Sequence, residues 1–328
     1  METPAGRVPL IATELLFSDR LGAWKTRWGI GRMNYLVPPG LYAIGTPGAT
    51  DPVVVTANYK MSYDIVRSQF GGRNVWLLVL ETFGINVWCA AGKGTFGTGE
   101  LVRRISETRL AMVISHRQLL LPMLGAVGVA AHEIARRTGF TVRYAAIRAE
   151  DLPEFLDKGR VTTSAMREMT FTFRERAVLV PVEFVMALKP AAVIMLCVSL
   201  FGALLGRPGA GIEAAVAYFG AMLAGTAVAP ILLPWLPGRS FSIKGAVLGF
   251  AWSALWLLLT GAAWNSLSTV AAFLVLPAVS AFHALNFTGC TPYTSRTGVK
   301  KEMRAALPAM GTAVLAGGIL LIINGILG

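Results

Sequence analysis

Between Gly245 and Ser295 the chain carries no Asp, Glu, Lys or Arg. About 20 apolar residues of helix cross the hydrocarbon core of a bilayer, so this stretch alone is long enough for two crossings. It is expected to divide at Asn265-Ser266. Residues 214–236 and 305–327 are likewise free of charge and long enough to span. Residues 179–205 contain Glu183 and Lys189, so their first part is read as interfacial, with the span proper starting at Pro190. Five spans are therefore expected, making up an all-α transmembrane domain over residues 178–328.

The rest of the chain has a different composition. Of its 30 Lys and Arg residues 22 lie at or before Val178, as do 15 of its 18 Asp and Glu residues. A mean hydropathy of +0.58 is too high for an ordinary soluble protein. The net charge of +12 fits membrane flanks, and no interleaved aromatic and basic motif speaks for nucleic acid, so no nucleic-acid partner is expected. The first twenty residues lack a basic start followed by an apolar core, so no signal peptide is expected. With the first half in the cytoplasm, the loops holding Arg239 and Lys244, and then Arg296, Lys300, Lys301 and Arg304, fall inside. That arrangement obeys the positive-inside rule. The expected location is the cell (inner) membrane, multi-pass, with lipid as a partner.

Residues 1–50 read as a loop-rich lead-in, broken by Pro38-Pro39-Gly40 and Gly45-Thr46-Pro47-Gly48. An alternation of strand and helix follows over residues 51–177. Strands are predicted at 52–57 (PVVVTA), 75–80 (VWLLVL), 111–115 (AMVIS) and 140–147 (FTVRYAAI), and helices at 62–70, 100–110 and 128–137. The spacing implies parallel β-α-β units and a Rossmann-like α/β domain. Such sheets bind ligands outside the carboxyl ends of their strands.

Just past the second strand lies Asn86-Val87-Trp88-Cys89-Ala90-Ala91-Gly92-Lys93. Asn is a good helix N-cap, so a helix is predicted from Val87 with Cys89 in its first turn. The positive end of the helix and Lys93, one turn on, favour an electron-rich sulfur. An isolated Cys is also compatible with an inert, buried filler. The glycines from Gly92 to Gly97 match GxGxxG, yet they follow a helix rather than a strand, with no acidic partner at the required distance. They suit a turn that ends the Cys89 helix. His132-Glu133 begins an HExxH-like string that fails at Arg136, and His116 and His283 lack metal-ligand neighbours. The three cysteines form no CxxC, so neither a cluster motif nor a disulfide framework is present. Cys290 stands in a polar segment, residues 286–303, read either as a lipid-headgroup anchor or as a loop that delivers a soft metal.

NVWCAAGK and the GTFGT after it resemble the cap helix of the corrinoid proteins of microbial mercury methylation. PPGLYAIG, PVVVTANYKMSYD and LLLPMLGAVGVAAHE resemble the corrinoid domain of the corrinoid iron–sulfur protein large subunit. The resemblance implies a Rossmann-like corrinoid-binding domain holding a cobalamin-type corrinoid, with Cys89 as the axial ligand to cobalt. It implies further contacts from Thr56, Asn58 and Ser62, from Ile85, Asn86, Val87, Trp88, Ala90 and Lys93 of the cap, and from Leu121, Pro122, Gly125 and Gly128. The implied activity is a cobalamin-dependent methyltransferase of one-carbon metabolism, passing a methyl group to Hg(II) and producing methylmercury. The implied partners are a methyl-tetrahydrofolate pathway donor and a ferredoxin-like protein with two iron–sulfur clusters as reductant. Cys290 is read as a relay for Hg(II). Two other readings stand beside this one: a membrane corrinoid methyltransferase with a different acceptor, and a membrane transporter carrying a corrinoid-binding module.

Overall fold

The structure, a computed structural model, describes residues 1–260 and 265–327, without the side chains of Cys290 and Leu327. It divides into two compact units. The first takes residues 1–26 and 30–170, the second residues 27–29 and everything from Phe171 on.

The first unit opens with a small antiparallel pair, β1 (Glu2–Thr3) and β2 (Gly6–Arg7), followed by β3 (Leu10–Ile11), α1 (Phe17–Arg27) and β4 (Gly40–Ile44). Then come β5 (Val53–Ala57), α2 (Lys60–Arg67), β6 (Val75–Leu80), α3 (Val87–Lys93), α4 (Thr98–Glu107), α5 (Leu110–Val113), β7 (Gln118–Leu121), α6 (Ala131–Thr138), β8 (Thr141–Tyr144) and α7 (Leu152–Asp157). The main sheet has the order β3-β4-β6-β5-β7-β8. Strands β5 to β8 are mutually parallel, while β4 runs antiparallel to β6 and carries β3 with it.

The period-two rule explains the core. Val53, Val55, Trp76, Leu78 and Leu80 point to one face, where Leu101 and Ile134 of α4 and α6 cover them. Val54, Val75, Leu77 and Val79 point to the other, against Tyr63, Phe70 and Phe155. Both faces are dry, so β5 and β6 read as unbroken apolar runs rather than alternating ones.

Two expectations are corrected here. The lead-in is not merely loop, since β3 and β4 add two strands to the sheet. Its turn residues crowd five-residue β4 on both sides, and only pairing with β6, from Gly40 opposite Val79 to Ile44 opposite Val75, makes it a strand. Residues 111–115 are not a strand either. They lie largely in helix α5, which starts after Arg109 at φ 48, and the strand is β7, a few residues later. A four- or five-residue apolar run does not by itself distinguish a buried strand from one buried helical turn.

A buried ion cluster ties the lead-in to the sheet. Arg67 donates to Asp64 at 2.8 Å, to Asp19 at 2.7 Å and to the carbonyls of Ala12 and Glu14 at 2.5 and 3.0 Å. Lys60 bonds the remaining oxygens of Asp19 and Asp64 at 2.6 and 2.7 Å.

The second unit contains α8 (Phe173–Ala177), α9 (Val180–Leu204), α10 (Pro208–Leu223), a π turn (Ala224–Val228), α11 (Ala229–Leu232), α12 (Phe241–Leu259), α13 (Ser266–Asn286) and α14 (Arg296–Leu327). Among the described residues, five helical stretches are long and apolar enough to cross a membrane: Phe173–Leu204, Pro208–Leu232, Phe241–Leu259, Ser266–Gly289 and Arg296–Ile326. Glycines set the closest crossings, since a Cβ on Gly249 would lie 2.4 Å from Pro277 and one on Gly202 would lie 2.5 Å from Gly211.

Helix α9 runs unbroken through Pro190; a proline removes one N–H and is tolerated inside long apolar helices. Two details differ from expectation. Lys244 is not in a loop. It is buried in the first turn of α12, donating to the carbonyls of Leu233 and Leu236 at 2.8 and 2.5 Å. Helix α14 begins at Arg296, so the polar loop is shorter than the segment 286–303 and Lys300 to Met303 are helical.

The ion cluster makes a testable prediction. Burial pushes the Asp19 carboxyl up, but hydrogen bonds from Lys60 and the Leu16 N–H, with the charges of Lys60 and Arg67, outweigh burial and hold it below the usual carboxylate range. A depressed carboxylate stabilises the fold above its unfolded pKa of about 3.9 and loses that contribution as pH falls through the lower folded value. Arg67→Met, which leaves two buried carboxylates facing Lys60 alone, is expected to cost about 3–5 kcal/mol at neutral pH in urea-dependent proteolysis of the full chain. Because the substitution removes much of the contribution that acid takes from the wild type, the variant should lose less further stability as pH falls below about 5; equal acid losses in the two proteins would refute the assignment.

Candidate functional site

The order β6-β5-β7 means that the chain leaves β5 toward one neighbour and later returns to its other side. A crevice opens where connections diverge in this way, at the carboxyl ends of the strands. A cavity of about 260 Å³ lies there. Thr56 of β5, Ser62 of α2, Asn86, Val87 and Trp88 at the start of α3, and Pro122 after β7 contribute to its wall, together with Leu124 and Arg148.

Asn58, at the end of β5 and fully buried, organises the approach to α3. Its Oδ1 accepts from the Thr82 N–H at 3.0 Å, the Thr82 hydroxyl at 2.9 Å and the Gly84 N–H at 3.3 Å, and its Nδ2 donates to Glu81 at 2.6 Å. Glu100 adds a tie from α4, accepting from the Glu81 N–H at 2.8 Å. Burial raises the Glu100 carboxyl, but that N–H and the guanidinium groups of Arg104 and Arg103 bring it below the usual range. Held this way, the loop turns through two left-handed residues, Phe83 at φ 56 and Gly84 at φ 69, and delivers Asn86 to the head of α3. A Cβ on Gly84 would come within 3.1 Å of the Met33 carbonyl, which adds a steric reason for Gly there.

Asn86 caps α3 as its sequence requires, its Oδ1 accepting from the Cys89 N–H at 2.9 Å. Ala90 and Ala91 face the core, Cys89 is exposed and Lys93 is exposed one turn on. The helix ends at Gly94 in the left-handed region, φ 85, and the Ala90 carbonyl accepts from the N–H groups of Thr95 and Phe96 at 3.0 and 3.2 Å. The glycine run is thus a helix C-terminus rather than a nucleotide loop. Phe96, fully buried, wedges under the helix. A Cβ on Gly125 would meet its ring at 2.6 Å, and one on Gly128 would meet its carbonyl at 2.2 Å and Ala91 Cα at 3.0 Å.

The residues named from sequence therefore fall into three groups. Thr56, Ser62, Asn86, Val87, Trp88 and Pro122 line the cavity. Asn58, Ile85, Ala90, Leu121, Gly125 and Gly128 hold or pack the cap, through hydrogen bonds, core contacts or lack of a side chain. Cys89 and Lys93 stand on the exposed side of α3. Leu124 falls in the 121–128 loop that the resemblance implied, whereas Arg148 was not singled out from sequence, and only its position just past β8, at the carboxyl edge, could have signalled it. The Cys290 side chain lies outside the described residues.

The polar chemistry of the cavity is incomplete within the protein. Among the described residues the buried Thr56 hydroxyl has no hydrogen-bond partner. Leaving such a group unpaired costs about 1–3 kcal/mol, so it is disposed to take a ligand or water atom. Among the described residues no three His, Cys, Asp or Glu side chains converge as a metal cage. His116 is structural, its Nε2 lying 2.8 Å from the Asp51 carbonyl while its Nδ1 accepts from the Gln118 N–H at 3.2 Å. His132 is exposed beside Glu133, and His283 is buried in α13.

Residues 32–155 match the family model described as CO dehydrogenase/acetyl-CoA synthase delta subunit. Curated relatives named acetyl-CoA decarbonylase/synthase complex subunit gamma are similar over part of the chain. The protein of Methanopyrus kandleri is 36% identical over 125 residues, which is 37% of this chain and 26% of that one. That of Archaeoglobus fulgidus is 40% identical over 92 residues, 27% of this chain and 20% of the relative. That of Methanocaldococcus jannaschii is 36% identical over 112 residues, 34% and 22% of the two chains. The chain thus spans about a quarter of the length of these relatives. The family-model match lies within the first unit.

Asn58 offers the clearest test of how the cap is held. Asn58→Ala leaves the Thr82 and Gly84 donors unpaired, at about 1–3 kcal/mol, and should speed amide exchange across residues 82–93 by roughly ten- to a hundredfold. Exchange measured by mass spectrometry on the full chain checks this, and protection equal to wild type would remove Asn58 from the role.

Proposed function

We propose that residues 51–177 form a corrinoid-binding domain, that residues 178–328 anchor it in a membrane, and that the chain transfers a methyl group from a methyl-tetrahydrofolate pathway donor to Hg(II). The observation that carries the reading is the exposed Cys89 on an Asn86-capped helix, beside a cavity whose Thr56 hydroxyl lacks a partner. Similarity to subunits of acetyl-CoA decarbonylase/synthase complexes supports the cofactor class.

The residues present fit such a group. When bound, a corrinoid supplies a cobalt centre that carries a methyl group between donor and acceptor. Cys89 would hold the group through its single sulfur, and sulfur ligation would supply electron density to a metal as it does in haem proteins. The cavity, at about 260 Å³, is smaller than the roughly 300–1,000 Å³ of ordinary ligand pockets. It therefore suits a pendant arm rather than a whole macrocycle, with Thr56, Ser62 and Asn86 as its polar contacts. Trp88 and Leu124 contribute apolar wall that keeps water from that arm. Hg(II), a soft acceptor, matches the sulfur-biased chemistry. A chain without cluster cysteines needs a separate reductant, for which a small ferredoxin-like partner with two iron–sulfur clusters is the fitting class. In orientation, the α/β domain is cytoplasmic by the loop charges.

A second reading, a corrinoid methyl carrier with a different acceptor, draws on the same relatives, since they are named for acetyl-CoA chemistry. One set of measurements separates the two. The purified full chain should show corrinoid absorption bands and form methylmercury from Hg(II). Cys89→Ala should keep the membrane-bound fold, shift those bands and lower methylmercury formation by roughly a hundredfold or more. Full activity in that variant would sink the sulfur-ligand role. Corrinoid bands with methyl uptake but no methylmercury would favour the second reading.

A further inference from the structure

Helices α12 and α14 both pack on α13, and between them lies a cavity of about 1,140 Å³. Its two ends differ in chemistry. Arg239, Ser240, Ser242, Ser295, Lys301 and Glu302 line one end. Farther along the helices the wall is apolar, with Phe250, Phe273, Leu274 and Met310 set among small residues such as Ala309 and Ala313.

The polar end is a built feature. Glu302 Oε1 accepts from the Ser240 hydroxyl at 2.6 Å, the Ser242 N–H at 2.7 Å and the Ser242 hydroxyl at 2.8 Å. That oxygen clasps the start of α14 to the start of α12 and is saturated by the clasp. Among the described residues neither Arg239 nor Lys301 has an ion-pair partner, and both are exposed. Lys300 and Arg304 stand on the adjoining turn of α14. The mouth therefore presents several cations against one occupied carboxylate.

The length of the apolar part is also informative. The α14 residues in the wall run from Gly298 to Ala313, about 22 Å at 1.5 Å per residue, and the apolar stretch from Ala305 to Ala313 takes about 12 Å of that. One leaflet of a bilayer is about 15 Å deep, half of a roughly 30 Å core. Water does not fill an apolar trough of this kind, and free phosphate would use only its mouth.

We propose that this cavity binds one anionic phospholipid, its phosphate between Arg239 and Lys301 and an acyl chain along Phe250, Phe273 and Met310. The proposal rests on the membrane-spanning reading of the helices and is independent of the corrinoid. A zwitterionic lipid brings its own cation to the same mouth and gains less there. The lipid completes the packing of α14, which otherwise touches α12 at the serine–glutamate clasp and leaves the rest of that face uncovered.

The test uses the full chain in neutral detergent, stripped of lipid. It is titrated separately with phosphatidylglycerol, with phosphatidylcholine of the same acyl chains and with inorganic phosphate, and read by native mass spectrometry and thermal unfolding. One retained phosphatidylglycerol is expected, preferred over phosphatidylcholine by about tenfold or more, with no stabilisation by phosphate alone. The double variant Arg239→Gln, Lys301→Gln should lose that preference. Ala309→Phe, which fills the trough and leaves the cations in place, should weaken both lipids. Equal occupancy by the two lipids, an unchanged preference in the double variant, or full stabilisation by phosphate would each overturn the site. Release of the protein from membranes by alkaline carbonate would instead overturn the spanning reading beneath it.

Discussion

The candidate site depends on one buried carboxamide. Asn58 sits where β5 ends and, by accepting three hydrogen bonds from Thr82 and Gly84, fixes the loop that follows β6. The left-handed Phe83 lies in that loop, and the Asn86 cap and the exposed thiol of Cys89 follow it. A buried amide with its partners in place is worth more than its net hydrogen-bond energy, because losing it strands the groups it satisfied. Asn58 thus acts on Cys89 without touching it.

Behind α3 the same logic continues through packing. Phe96 fills the space beneath the helix, and the backbone after β7 can approach only because positions 125 and 128 have no side chain. The cap is clamped by hydrogen bonds on its entry side and by close contact on its exit side. A short helix so held can present a reactive side chain to solvent while its own inner face, Ala90 and Ala91, stays dry. The second unit follows other rules. Its helices approach through Gly202, Gly211, Gly245 and Gly249, and where small residues line α14 without a partner helix a lipid-sized gap remains.

Much of this was legible in residues 51–147. The runs 52–57 and 75–80 announced β5 and β6 because both faces of those strands are buried, which leaves an unbroken apolar signature. Asn86 announced the start of α3, and Gly94 its end, because capping is local chemistry. Strand β4 was hidden because its identity comes from a partner more than thirty residues away, and β7 was displaced because five apolar residues fit a helical turn equally well. Asn58 entered as a candidate ligand contact through the family resemblance, and nothing local reveals that its amide is consumed by Thr82 and Gly84.

Sequence by itself determined the α/β character of the first unit, the five long apolar helices and the placement of a thiol in the first turn of a capped helix. Each follows from local periodicity, composition or capping, which act within a few residues. Tertiary structure decided the antiparallel edge of the sheet, the division of the candidate site into wall and support, the unpaired Thr56 hydroxyl and the wedge between α12 and α14. Those depend on which distant segments meet and on which polar atoms are left without partners when they do, quantities that no window of sequence contains.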